Sequence, residues 1–169
     1  MGGVRPIGIF PTIMRIVDRW YRKQAVIGWS SKQAAAGHFG QKGRSCETAV
    51  WRQAALSEWS VGSSCETATI FVDIAKAYEN IRHDRLMQAG AKYDFPFWWL
   101  RWLIGTFCMP RSLHISGVAL QPVQATRSVV PGSSAADLMM RLMMMTPLEH
   151  IKQICPAGAY AVVVDDLQV

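Results

Sequence analysis

The stretch Ile70-Phe71-Val72-Asp73-Ile74-Ala75-Lys76-Ala77-Tyr78-Glu79-Asn80-Ile81 constrains this chain more than any other. Ile70, Phe71 and Val72 form a short apolar run suited to a buried strand. From Lys76 onward the apolar positions Ala77, Tyr78 and Ile81 recur at helical spacing. This change of period places Asp73 where a central strand ends and the chain turns. A second such run lies at the far end, where Tyr160-Ala161-Val162-Val163-Val164 leads into Asp165-Asp166-Leu167. If the two strands are neighbours in one sheet, three carboxylates converge on one edge. Like charges in close quarters raise each other's pKa, so such a cluster requires cations. Hard oxygen ligands on rigid strands suit Mg²⁺. Each acid also has a plainer use, Asp73 as a helix N-cap and Asp165-Asp166 as a turn pair.

The residues around these acids carry a resemblance. Phe71-Val72-Asp73-Ile74-Ala75-Lys76-Ala77-Tyr78 resembles the first catalytic motif of reverse transcriptases of the non-LTR retroelement and group II intron type. Val163-Val164-Asp165-Asp166 resembles their last catalytic motif, a pair of aspartates at a hairpin tip. Between them, Val129-Val130-Pro131-Gly132-Ser133-Ser134-Ala135-Ala136-Asp137 resembles the glycine-centred template and nucleotide motif. Upstream, Arg5-Pro6-Ile7-Gly8-Ile9-Phe10-Pro11 resembles the fingers motif that opens with Arg-Pro. Four motifs in the family's order span nearly the whole chain. Two departures stand out. Pro131 replaces the usual Gln, removing an N–H and an amide, and Ala77-Tyr78-Glu79 replaces Ala-Phe-Asp while keeping aromaticity and charge.

The resemblance implies an α+β polymerase palm, an antiparallel sheet backed by helices, with partial fingers and no thumb. Residues 1–62 would be partial basic fingers and residues 63–169 a palm core. The family continues past this point, so the resemblance also implies a catalytic hairpin truncated after Asp166. The implied activity is RNA-directed DNA synthesis by two-metal phosphoryl transfer. Asp73, Asp165 and Asp166, with the main-chain carbonyl of Ile74, would hold two Mg²⁺ ions, or Mn²⁺ in their place. Arg5, Arg15, Tyr78, Gly132 and Ser133 would meet the incoming deoxynucleoside triphosphate, with Ile74 beside them. A guanidinium suits this work because it is always charged and grips two phosphate oxygens. Arg15 has an alternative as an exposed helix charge, and Tyr78 as a core tyrosine. The loop residues Gly40, Lys42 and Arg44 would grip the RNA template, with a DNA primer as the other strand. An aromatic ring five residues after Asp73 is the family's bar to a ribose 2′-hydroxyl. Tyr78 therefore implies deoxynucleotide substrates and disfavours an RNA-dependent RNA polymerase. The rival from another class is a catalytically inactive palm relic that binds nucleic acid.

Charge agrees with a nucleic-acid partner. The 169-residue chain carries +6, and its first 44 residues hold eight lysines and arginines against one acid, Asp18. That segment is therefore +7 and the remainder −1. A solvated basic face gives the same composition. Cys46, Cys65, Cys108 and Cys155 form no Cys-x-x-Cys pair, so a zinc site is not expected. The first residues lack a signal-peptide apolar run, and Phe95 to Phe107 is too short to span a bilayer. These features lead to an expected intracellular location, nuclear or cytoplasmic, away from membranes.

Periodicity predicts the remaining elements. Thr12 to Val26 reads as a helix with Ile13, Ile16, Val17 and Trp20 on its apolar face, followed by a glycine-rich loop over Ile27 to Arg44. Ser45 caps a helix to about Trp59, with Trp51, Ala54, Ala55 and Trp59 facing the core. The next helix carries His83 on its surface and ends at Gly90. Pro96 to Phe107 forms another, burying Trp98, Trp99, Trp102 and Leu103. Strands over Arg111 to Ile115 and Val123 to Val130 flank a turn at Ser116-Gly117. Ser133 and Ser134 open a methionine-rich helix that Pro147 breaks. The pentapeptide Ser45-Cys46-Glu47-Thr48-Ala49 recurs as Ser64-Cys65-Glu66-Thr67-Ala68, too short for a repeat architecture.

Overall fold

The computed structural model describes residues 9–35, 38–39, 44–70, 72–112, 114–156, 158 and 162–163. Among the described residues five helices dominate: α1 (Thr12–Ala35), α2 (Cys46–Gly62), α3 (His83–Lys92), α4 (Phe97–Phe107) and α5 (Ala136–Ile154). Four strands of two residues each complete the order: β1 (His38–Phe39), β2 (His114–Ile115), β3 (Val118–Ala119) and β4 (Val162–Val163).

The expected α+β palm does not form. Helices hold most of the described chain, and no antiparallel sheet backed by helices occurs among the described residues. β4 pairs in parallel with β1, Val162 opposite His38, and not with the segment leading to Asp73. Ile70 and Val72 belong to no strand and are 84% and 80% exposed, residues 75–80 form turns, and Phe71 lies outside the described residues. Apolar composition alone does not hold an extended segment. Without a paired neighbour or a buried face, its backbone bonds to water and its side chains gain nothing.

The core instead lies where α3, α4 and α5 meet. Leu86, Trp99, Leu100, Leu103, Phe107, Leu138, Met139 and Leu142 are buried there. The methionines of α5 serve as packing, with Met139, Met140 and Met145 buried and Met143 and Met144 against the core. Trp29 joins from α1, donating Nε1–H to the Tyr93 carbonyl at 3.1 Å and meeting Phe95 edge-on at 4.9 Å. This contact explains why α1 runs through Gly28 to Ala35 rather than ending near Val26. A mid-helix glycine costs about 1 kcal/mol, and burying a side chain of indole size returns more than that. The same docking leaves the expected apolar face of α1 outside: Ile13, Ile16 and Trp20 are 57–66% exposed. On α2, Trp51 and Trp59 are likewise exposed, while Ala49 and Ser60 are buried. On α4, Trp99 and Leu103 are buried as expected, but Trp98 and Trp102 face outward.

Two expected helix breaks are absent. Pro147 lies inside α5. The turns beyond it are held by α3: Lys92 Nζ donates to Glu149 Oε2 at 2.7 Å, and the Tyr93 hydroxyl donates to the same oxygen at 2.8 Å. The Lys92 ammonium holds the Glu149 carboxyl below its ordinary pKa. Gly90 does not end α3 but is buried within it at the crossing with α4. A Cβ added there would lie 2.3 Å from Leu100 Cδ2, and Leu100 is fully buried. Gly90→Ala is therefore expected to destabilise the fold by about 1 kcal/mol, the overpacking strain exceeding the gain in helix propensity. A shift of the urea midpoint measures this, and a more stable variant would contradict the close crossing.

Both copies of the repeated pentapeptide now have a physical account. Ser45 has β-region dihedrals and caps α2, accepting from the Thr48 N–H at 3.1 Å. Ser64 follows the end of α2 in the left-handed region, at φ 51°, and the Cys65 N–H bonds back to the Ser60 carbonyl at 3.0 Å. An N-cap needs extended dihedrals, so the second copy terminates a helix and cannot begin one. No helix among the described residues is long and apolar enough to cross a membrane.

Candidate functional site

Arg15, Asp18, Arg19 and Arg22 recur along α1 at three- and four-residue spacing, which places them on one stripe. The stripe faces the turn that precedes α5. Gly132 makes that turn at φ +94°, a conformation a residue with a Cβ rarely adopts. Beyond it the Ser133 N–H bonds to the Val130 carbonyl at 3.1 Å, and the Ser133 hydroxyl accepts from the Ala135 N–H at 3.3 Å.

Asp18 ties three elements together. Its side chain is buried, and its carboxylate accepts from Trp99 Nε1 of α4 at 3.3 Å and from the Ser134 hydroxyl. Arg22 donates to the Ser134 carbonyl and to Asp137 Oδ2, the latter at 3.0 Å. Arg141 Nη2 lies 3.5 Å from the same Asp137 oxygen, with its side chain only 4% exposed. Burial pushes the Arg141 guanidinium down in pKa, and Asp137 opposes that shift.

This bracing leaves a cleft of about 340 Å³ between α1 and the Gly132 turn. Arg15, Arg19, Gly132, Ser133 and Ser134 line it, with Trp102 and Leu103 of α4 as the apolar wall. The volume lies within the range of small-molecule sites. Thr12 and Arg15 lie on the first turn of α1, whose N-terminal end is the positive pole of the helix, and Arg19 follows one turn further on. Arg15 and Arg19 are exposed, and Asp18, the acid between them, is occupied by Trp99 and Ser134. The chemical character is that of a cationic slot with hydroxyls and a glycine opposite, suited to an anion.

Of the residues singled out from sequence, the cleft brings Arg15, Gly132 and Ser133 together. Tyr78 lies outside it, half-buried against the core, its carbonyl accepting from the Val129 N–H at 2.9 Å. The Ser128 N–H bonds to the Ile81 carbonyl at 2.8 Å, so the segment after Asp73 runs beside the segment before Gly132. Asp73 is exposed, Ile74 is 44% exposed, and neither lines the cleft. Arg44 is half-buried just before the Ser45 cap. Arg5, Gly40, Lys42, Asp165 and Asp166 lie outside the described residues. Sequence reasoning missed Asp18, Arg22 and Arg19 as parts of one site. Their spacing on α1 was a visible signal, but Ser134 and Asp137, the partners of Asp18 and Arg22, lie more than a hundred residues further along the chain. No protein family, curated protein or solved structure matches this chain.

Proposed function

We propose that this chain takes part in template-directed DNA synthesis on RNA, as a reverse transcriptase segment acting inside the cell. The observation that carries this reading is the cleft joining Arg15 to Gly132 and Ser133. Arg15 and Arg19 grip phosphate oxygens of a deoxynucleoside triphosphate. Gly132 lets the backbone approach the nucleotide, and Ser133 and Ser134 offer hydroxyls to it. Tyr78, outside the cleft and half-buried against the core, is the residue this reading sets against a ribose 2′-hydroxyl. The basic N-terminal part of the chain, with Gly40, Lys42 and Arg44, holds the RNA template and DNA primer through their phosphates.

Asp73 is exposed, which leaves its carboxylate open to a hydrated cation, and its hard oxygens suit Mg²⁺ or Mn²⁺. Asp165, Asp166 and the Ile74 carbonyl are the other donors in this reading. A metal held by these donors would supply charge neutralisation for phosphoryl transfer.

A specific observation favours a second reading, nucleic-acid binding without catalysis. Asp73 lies in an irregular exposed segment outside the cleft, not on a rigid strand. Primer extension separates the two. With an RNA template, a DNA primer, Mg²⁺ and dNTPs, extension that is absent with rNTPs and abolished in Asp73→Ala is the expected result. Extension with rNTPs would remove the role given to Tyr78. Template binding that persists in Asp73→Ala, with no extension by either protein, would establish the second reading.

A further inference from the structure

Away from the cleft, His83 and Cys108 form a pair that the proposed function does not use. His83 is the first residue of α3 and Cys108 the residue that closes α4. Contrary to the surface position expected from sequence, the imidazole is half-buried and lies 6.4 Å from the buried Phe107 ring. Its Nε2 is 2.8 Å from the Ser128 carbonyl, and its Nδ1 is 3.4 Å from Cys108 Sγ.

The carbonyl settles the direction of both bonds. A carbonyl oxygen only accepts, so Nε2 must carry the hydrogen. In the neutral ring Nδ1 is then an acceptor, directed at the thiol. A nucleophile, a base within reach of its proton, and a third group that orients the base are the parts of an activated thiol. The negative end of α4 disfavours charge on the sulfur. Arg111 offsets this by donating Nη2–H to the Phe107 carbonyl, which places a guanidinium at that end of the helix.

We infer that Cys108 is a modification site for soft carbon electrophiles, with His83 as its general base. In the reaction the Cys108 sulfur bonds to the electrophilic carbon as the leaving group departs with its bonding pair. The thiol proton passes to His83 Nδ1. With iodoacetamide as the probe, the C–I bond breaks and iodide leaves.

Peptide mass spectrometry after brief iodoacetamide treatment of the full chain tests this without any variant. Cys65 and Cys155 are exposed, whereas Cys108 is half-buried, so access alone predicts that Cys108 reacts last or nearly so. The expected result is the reverse, with Cys108 labelled about tenfold faster than Cys65, a modest share of what a positioned base contributes. The advantage should vanish in denaturant. His83→Phe keeps the ring against Phe107 and removes both nitrogens, and should bring Cys108 to the rate of Cys65 or below. Labelling of Cys108 no faster than Cys65 in the native protein would overturn the inference, as would an unchanged rate in a folded His83→Phe variant.

Discussion

Trp99→Ala is expected to cost about 3–5 kcal/mol, the range for deleting a large buried aromatic side chain. Trp99 is 0% exposed in the first turn of α4 and stacks on Phe95 at 5.5 Å with an interplanar angle of 17°. Its loss opens a cavity between α1 and α4, beside Phe95, that the surrounding side chains only partly refill. It also removes the indole donor from the buried Asp18 carboxylate. Small domains are held by about 5–15 kcal/mol in total, so this variant should be largely unfolded at temperatures the parent protein tolerates. Urea unfolding followed by circular dichroism measures the loss. Trp99→Phe keeps the ring volume in part and removes the hydrogen bond, so it should fall between the two. A loss below about 1 kcal/mol for Trp99→Ala would mean that α4 is not the centre of the core.

Asp18→Ala should cost about 2 kcal/mol, mainly because it strands the buried Trp99 N–H. The Ser134 hydroxyl is half-exposed and can turn to water, so it contributes less. Asp18→Asn retains an acceptor and should be milder. The coupling is the sharper test. Residues that share one hydrogen bond are non-additive, so Asp18→Ala combined with Trp99→Phe should cost less than the sum of the single changes. Strict additivity would show that the carboxylate and the indole act independently. Because Asp18 also anchors Ser134, its loss leaves Arg22 to hold the Gly132 turn against α1 and should weaken anion binding in the cleft. It does so even though removing an acid makes the cleft more positive. Tighter triphosphate binding by Asp18→Ala, measured by titration calorimetry, would show that charge outweighs geometry there.

Local signals in the sequence were read correctly where a few neighbouring residues settle the outcome. Ser45 caps α2, the apolar run from Phe97 forms α4, and Ser116-Gly117 turns the chain with φ of 50° and 81°. The candidate site was legible only in part. Arg15, Gly132 and Ser133 were singled out by motif, but the buried Asp18 beneath them was not, because its partners come from α4 and from the turn before α5. Ile70 and Val72, expected in a strand, lie exposed outside one for a related reason. An apolar run specifies that a segment is able to pack, not that a partner is there to receive it.

The local choices of caps, turns and helix-forming runs, and the excess of basic residues in the first 44, are written in the order of the residues alone. Only the tertiary structure decided which faces are buried. It turned Ile13, Ile16 and Trp20 outward and Trp29 inward, carried α1 through Gly28, and kept Pro147 within α5. It also gave one pentapeptide two roles, beginning α2 at Ser45 and following its end at Ser64. The physical reason is one of magnitude. A cap or a propensity contributes about 0.5–1 kcal/mol, whereas burying one large apolar side chain contributes about 1.5–3 kcal/mol. Where the two disagree, the contacts made by distant parts of the chain prevail.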